Sequence, residues 1–339
     1  MASLRQESRN SRSPPLPLYK VRSDVPQCVL ASGEVITANQ IENSDLFWAL
    51  RGGGNSFCIV TRIDLYTIDS SLVYLGNIGY GSGTEVKNQY IQSMVDFSLY
   101  ASDDPRSALE GQIRWNPAQS NDITYWAFLF HNGEDYPAPG LQNLTAPVLP
   151  FASGNVTQQT MKIWSDSFPY STDLGFRNRF HFISIPADPE AFRIAHDTYF
   201  ANVEGLASVN EFFTAFSLMP ITDHVIAVSG VNGGNPLGLS EESVPALWLV
   251  ESPAWKDAAD DVTVTAAHDK ANAEIAVNLA AAGFNELPFV YLSDAEKGQS
   301  VFPTYGQANL QRLKAIRDKY DPGMVYTNLM PGGDKVANA

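Results

Sequence analysis

Asp294 lies in Tyr291-Leu292-Ser293-Asp294-Ala295, where an acid, a phenol and a hydroxyl are close in sequence. A carboxyl withdrawn from water has a raised pKa and works as a general base near neutrality. Beside Lys297 and Gly298 the same acid also reads as a solvated turn residue. Tyr305 and Asn309 offer a phenol and an amide to a ligand, or a core aromatic and an early-helix polar residue to the fold. Gly52-Gly53-Gly54 lets a ligand approach the backbone with no Cβ in the way; a tight turn between packed elements needs the same glycines. The five histidines, His131, His181, His196, His224 and His268, show no metal-ligand spacing, so no metal is expected. Cys28 and Cys58 lie in no nucleophile or redox motif. Buried free thiols are the expectation for them, with a disulfide the alternative. The chain has neither a Gly-x-Gly-x-x-Gly fingerprint nor a Walker loop.

The elements that would carry these residues follow from periodicity. In the stretch 42–61, Ser44 is suited to cap a helix and Asp45 to sit at its positive end. Leu46, Phe47, Ala49 and Leu50 form its apolar face, Gly52 ends it in the left-handed conformation, and Arg51 stabilises its end rather than binding phosphate. From Ile59 the period becomes two, with Ile59, Ile63 and Leu65 on the buried face of a strand. A hairpin with its turn at Ser32-Gly33 precedes the helix. Thr84 caps a helix whose face is Val86, Tyr90, Ile91, Met94 and Val95. Strands are expected at 109–115, 123–130, 211–218, 224–231, 246–251 and 288–295. Helices are expected at 158–168, from Asp188-Pro189-Glu190, at 256–282 with Gly283 beyond its end, and at the close with Leu310, Leu313 and Ile316 inward. Tyr125, Trp126, Phe128, Phe212 and Phe213 line an apolar cleft or fill a core. Strand runs broken by isolated helices predict an α+β architecture, an antiparallel sheet covered by helices.

A chain of this length buries a large core in one or two domains. Its net charge of -15 argues against nucleic acid and anionic membranes as partners. No apolar run is long enough to span a bilayer. The Arg- and Ser-rich residues 1–24 read as a disordered tail without the apolar centre of a signal peptide. Asn143-Leu144-Thr145 and Asn155-Val156-Thr157 fit the glycosylation sequon, which matters only in a secreted protein.

Asn43-Ser44-Asp45-Leu46-Phe47-Trp48-Ala49-Leu50-Arg51-Gly52-Gly53-Gly54, running on to Ile59-Val60-Thr61, resembles the end of the flavin domain in fungal FAD-linked oxidases of the berberine-bridge-enzyme-like group. Tyr305-Gly306-Gln307-Ala308-Asn309-Leu310 and Lys319-Tyr320-Asp321-Pro322-Gly323 are similar to that family's closing signature. Cys58 stands where the family usually has glycine. The resemblance implies a remnant of a PCMH-type FAD-binding domain from 25–69 and 290–339, and a substrate-binding domain from 70–289. It leaves the family's N-terminal FAD region, with its pyrophosphate loop and covalent attachment residues, unmatched, so the chain reads as truncated. It also implies FAD as cofactor, with Gly53, Gly54, Ile59, Val60, Tyr305 and Asn309 against it and Asp294 and Tyr291 in the catalytic role.

The implied function is FAD-linked oxidation of a small organic molecule in secondary metabolism, with flavin as hydride acceptor and oxygen as reoxidant. The alternative is a flavin-free relative, a small-molecule binding module or a non-redox cyclase or isomerase. A truncated chain is expected to hold FAD weakly or not at all. The protein is expected in the cytoplasm if Met1 is the true start, and secreted if a leader is missing.

Overall fold

The computed structural model describes residues 27–64, 72–167 and 175–339. The expected tail at 1–24 and the inward placement of Leu65 lie outside the described residues. The elements run β1 (Gln27–Val29), β2 (Val35–Thr37), α1 (Ser44–Leu50), β3 (Ile59–Arg62), β4 (Val73–Ser82), α2 (Thr84–Tyr100), β5 (Ser107–Asn116), β6 (Ser120–His131), β7 (Thr157–Gln159), α3 (Met161–Ser167), β8 (Arg177–Asn178) and β9 (His181–Pro186). They continue with α4 (Pro189–Val203), β10 (Phe213–Ile221), α5 (His224–Ser229), β11 (Ala246–Trp255), α6 (Asp261–Ala281), α7 (Gln307–Tyr320) and α8 (Val325–Asn328).

Eight strands form one antiparallel sheet in the order β7-β4-β6-β5-β10-β11-β8, with β9 also paired to β11. The expected α+β class is what forms. Period-two alternation gives the sheet two unlike faces. Ile113, Trp115, Tyr125, Ala127, Leu129, Phe216, Leu218, Leu247 and Leu249 point to one side. There they pack with Tyr90, Ile91 and Met94 of α2, Phe192 and Tyr199 of α4, and Ile275 and Leu279 of α6. Asp188 caps α4 as expected, accepting hydrogen bonds from the N–H groups of Glu190 (2.8 Å) and Ala191 (3.1 Å).

A second core joins the two ends of the chain. Leu46, Phe47 and Phe57 meet Leu310, Leu313 and Ile316 of α7, and this cluster takes in Phe182, Trp248 and Val250 from the other face of the sheet. β1, β2 and β3 form a small antiparallel sheet at its margin. Lys319 and the Tyr320 hydroxyl both reach Asp45, at 2.7 and 2.8 Å, and tie α7 to the start of α1. Asp321 is wholly buried and accepts hydrogen bonds from the first two N–H groups of α8, at Val325 and Tyr326, each at 2.8 Å. A charged acceptor on otherwise orphaned helix donors stabilises by about 1–2 kcal/mol. Asp321→Ala is therefore expected to lower the urea-unfolding midpoint by that equivalent, with Asp321→Asn losing less; an unchanged midpoint would contradict the assignment.

Several local expectations are corrected. Cys28 and Cys58 are joined in a disulfide rather than left as free thiols; the pairing of β1 with β3 sets Cys28 opposite Val60, two residues from Cys58, within reach of it. Residues 224–231 begin as a helix, not a strand. Both edges of β10 are already taken by β5 and β11, so the backbone closes local bonds such as Ile226 N–H to Asp223 O at 3.0 Å. Residues 288–295 form no strand; Phe289 and Tyr291 stack on Trp248 with ring centroids 4.8 and 5.4 Å apart, so the segment lies across the sheet face. Thr157–Gln159 pairs with β4 as a strand, leaving α3 shorter than the helix expected over 158–168. Asn43, in the left-handed conformation, precedes α1 in place of a Ser44 cap, and Gly83 rather than Thr84 precedes α2. The left-handed glycine after α1 is Gly54, with φ 63°, not Gly52. Ile59 and Ile63 are 45% and 58% exposed, opposite to the inward face expected for them, because Cys58 and Val60 take the core side of β3.

Candidate functional site on the uncovered sheet face

Among the described residues, the face of the sheet turned away from α2, α4 and α6 is only partly covered. The end-joining core lies over β9, β11 and the far part of β10. Over β4, β5 and β6 a shallow open groove remains, lined by Leu75, Glu110, Gln112, Phe128, Phe130 and Trp164 among others. The strand β5 alternates, so Gly111, Ile113 and Trp115 point to the helices while Glu110, Gln112 and Arg114 share the uncovered side.

Those three side chains form a directed relay. Arg114 Nε donates to Gln112 Oε1 at 2.8 Å, and Gln112 Nε2 donates to Glu110 Oε1 at 3.2 Å. The amide is therefore held with its oxygen toward the cation and its nitrogen toward the anion. The Arg114 guanidinium also lies over the Trp126 ring, 4.7 Å from its centroid. Register places Trp126 opposite Gln112 and Phe128 opposite Glu110. On the other flank Ala215 lies opposite Arg114 and Ser217 opposite Gln112. The result is a trough with aromatic rings on one side, small residues on the other and a polarised floor. Burial lowers the pKa of Arg114, opposed by the Tyr90 and Glu110 charges.

Asp294 is brought to this region by the segment that crosses the sheet. It is half-buried, and its pKa is raised first by burial and then by the charge of Glu110. Tyr291 stacks on Trp248 and faces Phe182 at 6.5 Å. Of the aromatics expected at a cleft, Trp126 and Phe128 lie on the uncovered face, whereas Tyr125 and Phe212 are buried in the helix-covered core. Glu110, Gln112 and Arg114 were absent from the sequence-based candidates. Their every-other-residue spacing between apolar neighbours was the available signal.

Of the residues expected around a cofactor, Tyr305 and Asn309 meet each other, whereas Gly53 and Gly54 face Phe57 and Leu292, and Ile59 and Val60 are placed apart on β3. Tyr305 is buried and donates its hydroxyl to Gly52 O at 3.2 Å, and Asn309 Nδ2 donates to the carbonyls of Pro236 and Tyr305, each at 3.1 Å. Gly54 lies against Leu292, where a Cβ would come within 3.0 Å of Cδ2. Arg51 lies over the Phe47 ring at 4.3 Å and donates to Phe47 O at 3.4 Å, within its own helix, as expected; burial lowers its pKa to about 10. Among the described residues no group of three or more His, Cys, Asp or Glu side chains is placed to hold a metal ion. No helix among them is long and apolar enough to cross a membrane.

This arrangement, a helix-backed sheet whose other face meets a core built from both chain ends, recurs in solved flavoproteins. The 6-hydroxy-D-nicotine oxidase of Arthrobacter nicotinovorans superposes with a TM-score of 0.68 at 18% identity, over 89% of this chain and 64% of that one. The BBE-like 1 protein of Physcomitrella patens gives 0.63 at 16%, over 90% and 63%. In sequence, the FAD-dependent monooxygenase tpcD of Cochliobolus heterostrophus is 27% identical over 328 residues, covering 91% of this chain. The FAD-dependent monooxygenase prx3 of Penicillium roqueforti is 28% identical over 325 residues, covering 92%. The chain is thus similar in sequence to FAD-dependent monooxygenases and shares its fold with a BBE-like protein. No family model matches it. It spans 61% and 62% of the length of those two monooxygenases.

FAD is the cofactor in the names of these relatives. In this chain, however, the glycine turn is filled by protein. A Cβ on Gly52 would come within 2.8 Å of Leu237 Cδ2, and one on Gly53 within 2.5 Å of the Phe57 ring and 2.6 Å of Ala49 O. The glycines are required, but by the chain's own side chains. Tyr305 and Asn309 spend their polar groups on carbonyls. The described residues thus form a packed wall at this turn and do not make an open cradle for a dinucleotide.

Proposed function

We propose that the chain provides the substrate-holding part of an FAD-linked oxidoreductase that oxidises a small organic molecule in secondary metabolism. In this reading 70–289 is the substrate domain, and 25–69 with 290–339 is the flavin-domain side. The observation that carries it is the polarised trough of Glu110, Gln112 and Arg114, with Asp294 beside it under a raised pKa. The substrate lies on the uncovered face. Asp294, ionised, takes a proton from it; burial strengthens the carboxylate as a base. Tyr291 is held flat by Trp248 and presents its phenol at the border of the same face.

Oxygen uptake with FAD supplied, across phenolic and polyketide-like substrates, tests this reading. Asp294→Asn is expected to lower turnover about 10²–10⁴-fold, the usual contribution of a positioned general base. It should also remove the rise of rate with pH that ionisation of a raised carboxyl produces. A rate and pH profile equal to the parent's would sink the assignment.

The filled glycine turn favours a second reading, a flavin-free binding protein or non-redox catalyst on the same face. Here the chain binds its ligand saturably, as read by tryptophan fluorescence, and FAD neither binds at stoichiometric occupancy nor alters that affinity. A stoichiometric flavin absorbance band would exclude it.

A further inference from the structure

We infer that the trough selects a flat apolar ligand bearing an anionic group, with Arg114 as the residue that chooses it. This rests on the reading of the uncovered face as the ligand site, but not on which of the two chemistries it serves.

Six arginines of the described residues are closed by acids, Arg62 by Asp64 among them, while Arg51 and Arg312 lie over the Phe47 and Trp48 rings. Arg177 is closed by a two-pronged contact with Asp261, and Arg179 by Glu296 and Asp269. Arg106 is paired with Asp135, Arg193 with Glu190 and Arg317 with Asp318. Among the described residues Arg114 has no carboxylate in its hydrogen-bond shell. Nε and one terminal nitrogen both go to the neutral oxygen of Gln112. That amide does not neutralise it, and Gln112 keeps Glu110 one strand repeat farther along. Glu110 and Arg114 are four residues apart on one strand, so their backbones stand about 13 Å from each other. The strip therefore presents an unneutralised cation at one end and a carboxylate at the other.

The walls define the rest of the ligand. The Trp126 indole already carries the guanidinium on its face, which holds the fork in place. Phe128 continues the aromatic side, with the Trp164 ring edge-on to it at 6.1 Å. Ala215 and Ser217 leave room on the opposite flank. A planar apolar body fits between aromatic rings and small side chains, and a carboxylate or similar anion at its end completes Arg114. The far end then lies toward Glu110 and Asp294, where two acids disfavour a second negative charge. An apolar acid with its reactive C–H or hydroxyl remote from the anion satisfies both ends.

The probes are 2-naphthoate and its neutral counterpart 2-naphthalenemethanol, titrated into the whole chain with tryptophan fluorescence and calorimetry as readouts. Naphthoate is expected to bind about tenfold tighter or more, the effect of one charge-assisted hydrogen-bonded contact. Added salt should weaken naphthoate and leave the alcohol unmoved. Arg114→Gln, at a partly exposed position, should erase the preference while keeping the alcohol's affinity. Lys256→Gln, in the separate depression beside Arg177 and Arg179, should keep the preference intact. Equal affinities, binding of neither probe, or a preference that survives Arg114→Gln would overturn the inference. A preference present without any flavin-dependent turnover would leave it standing and remove the oxidoreductase reading instead.

Discussion

Glu251→Leu is expected to destabilise the chain by about 3–5 kcal/mol, among the largest single-residue effects in the fold. Glu251 on β11 and His268 on α6 are both fully buried, with Oε2 and Nε2 2.8 Å apart between the sheet and its helices. The contact has ion-pair distance but poor hydrogen-bond alignment, and Glu251 Oε1 and His268 Nδ1 find no partner among the described residues. Around them lie Tyr199, whose ring is 6.3 Å from that of His268, and His181 at 6.1 Å. Burial, and then the Glu251 charge, push the Tyr199 phenol well above its ordinary pKa. Removing one partner strands the other in this apolar layer with its desolvation cost uncompensated. Replacing both by apolar residues of similar volume does not, so Glu251→Leu/His268→Leu should recover most of the loss. Urea unfolding of the parent, the two single variants and the double variant gives the coupling directly. Additive losses would show that the two residues do not act as a pair.

What could be read from residues alone follows from how local each signal is. The β5 and β6 runs were legible because apolar and polar positions alternate over ten and twelve residues, and the start of α4 because Asp188-Pro189 is a self-contained capping signal. Segments 224–231 and 288–295 were misread for one reason. Their composition suits a strand, but a strand also needs an open sheet edge, and no local pattern reports whether one is free. The family motifs pointed to the right ends of the chain, which do share a core through Phe47 and Leu313. They could not show that Phe57, Pro236 and Leu237 fill the space the glycines leave. The Glu110-Gln112-Arg114 alternation was visible in the sequence. That its face is uncovered, and that Asp294 approaches it across nearly two hundred residues, is a property of topology.

The disulfide carries the other large effect. Cys28 and Cys58 close a loop of sequence separation 30, and cross-linking a loop of that size stabilises by about 3–4 kcal/mol through the entropy it removes from the unfolded chain. The bond holds β1 beside the segment that leaves the glycine turn, in the core where α1 meets α7. That small sheet has strands of only three or four residues, too short for independent stability, so the covalent link has little competition as its fastener. Cys28→Ala/Cys58→Ala is expected to lower the urea midpoint by the stated energy and to raise amide exchange first in β1, β2 and β3. Cys58→Gly should behave like the double variant, because the lost bond outweighs any space gained at the turn. The sulfur atoms belong to residues 0% and 4% exposed, so reductant added to the folded protein should act slowly. After unfolding and refolding in reductant, the parent should show the midpoint of the double variant. A reduced parent that keeps the oxidised midpoint would mean that packing of Phe57 and Tyr326 alone fixes this corner of the fold.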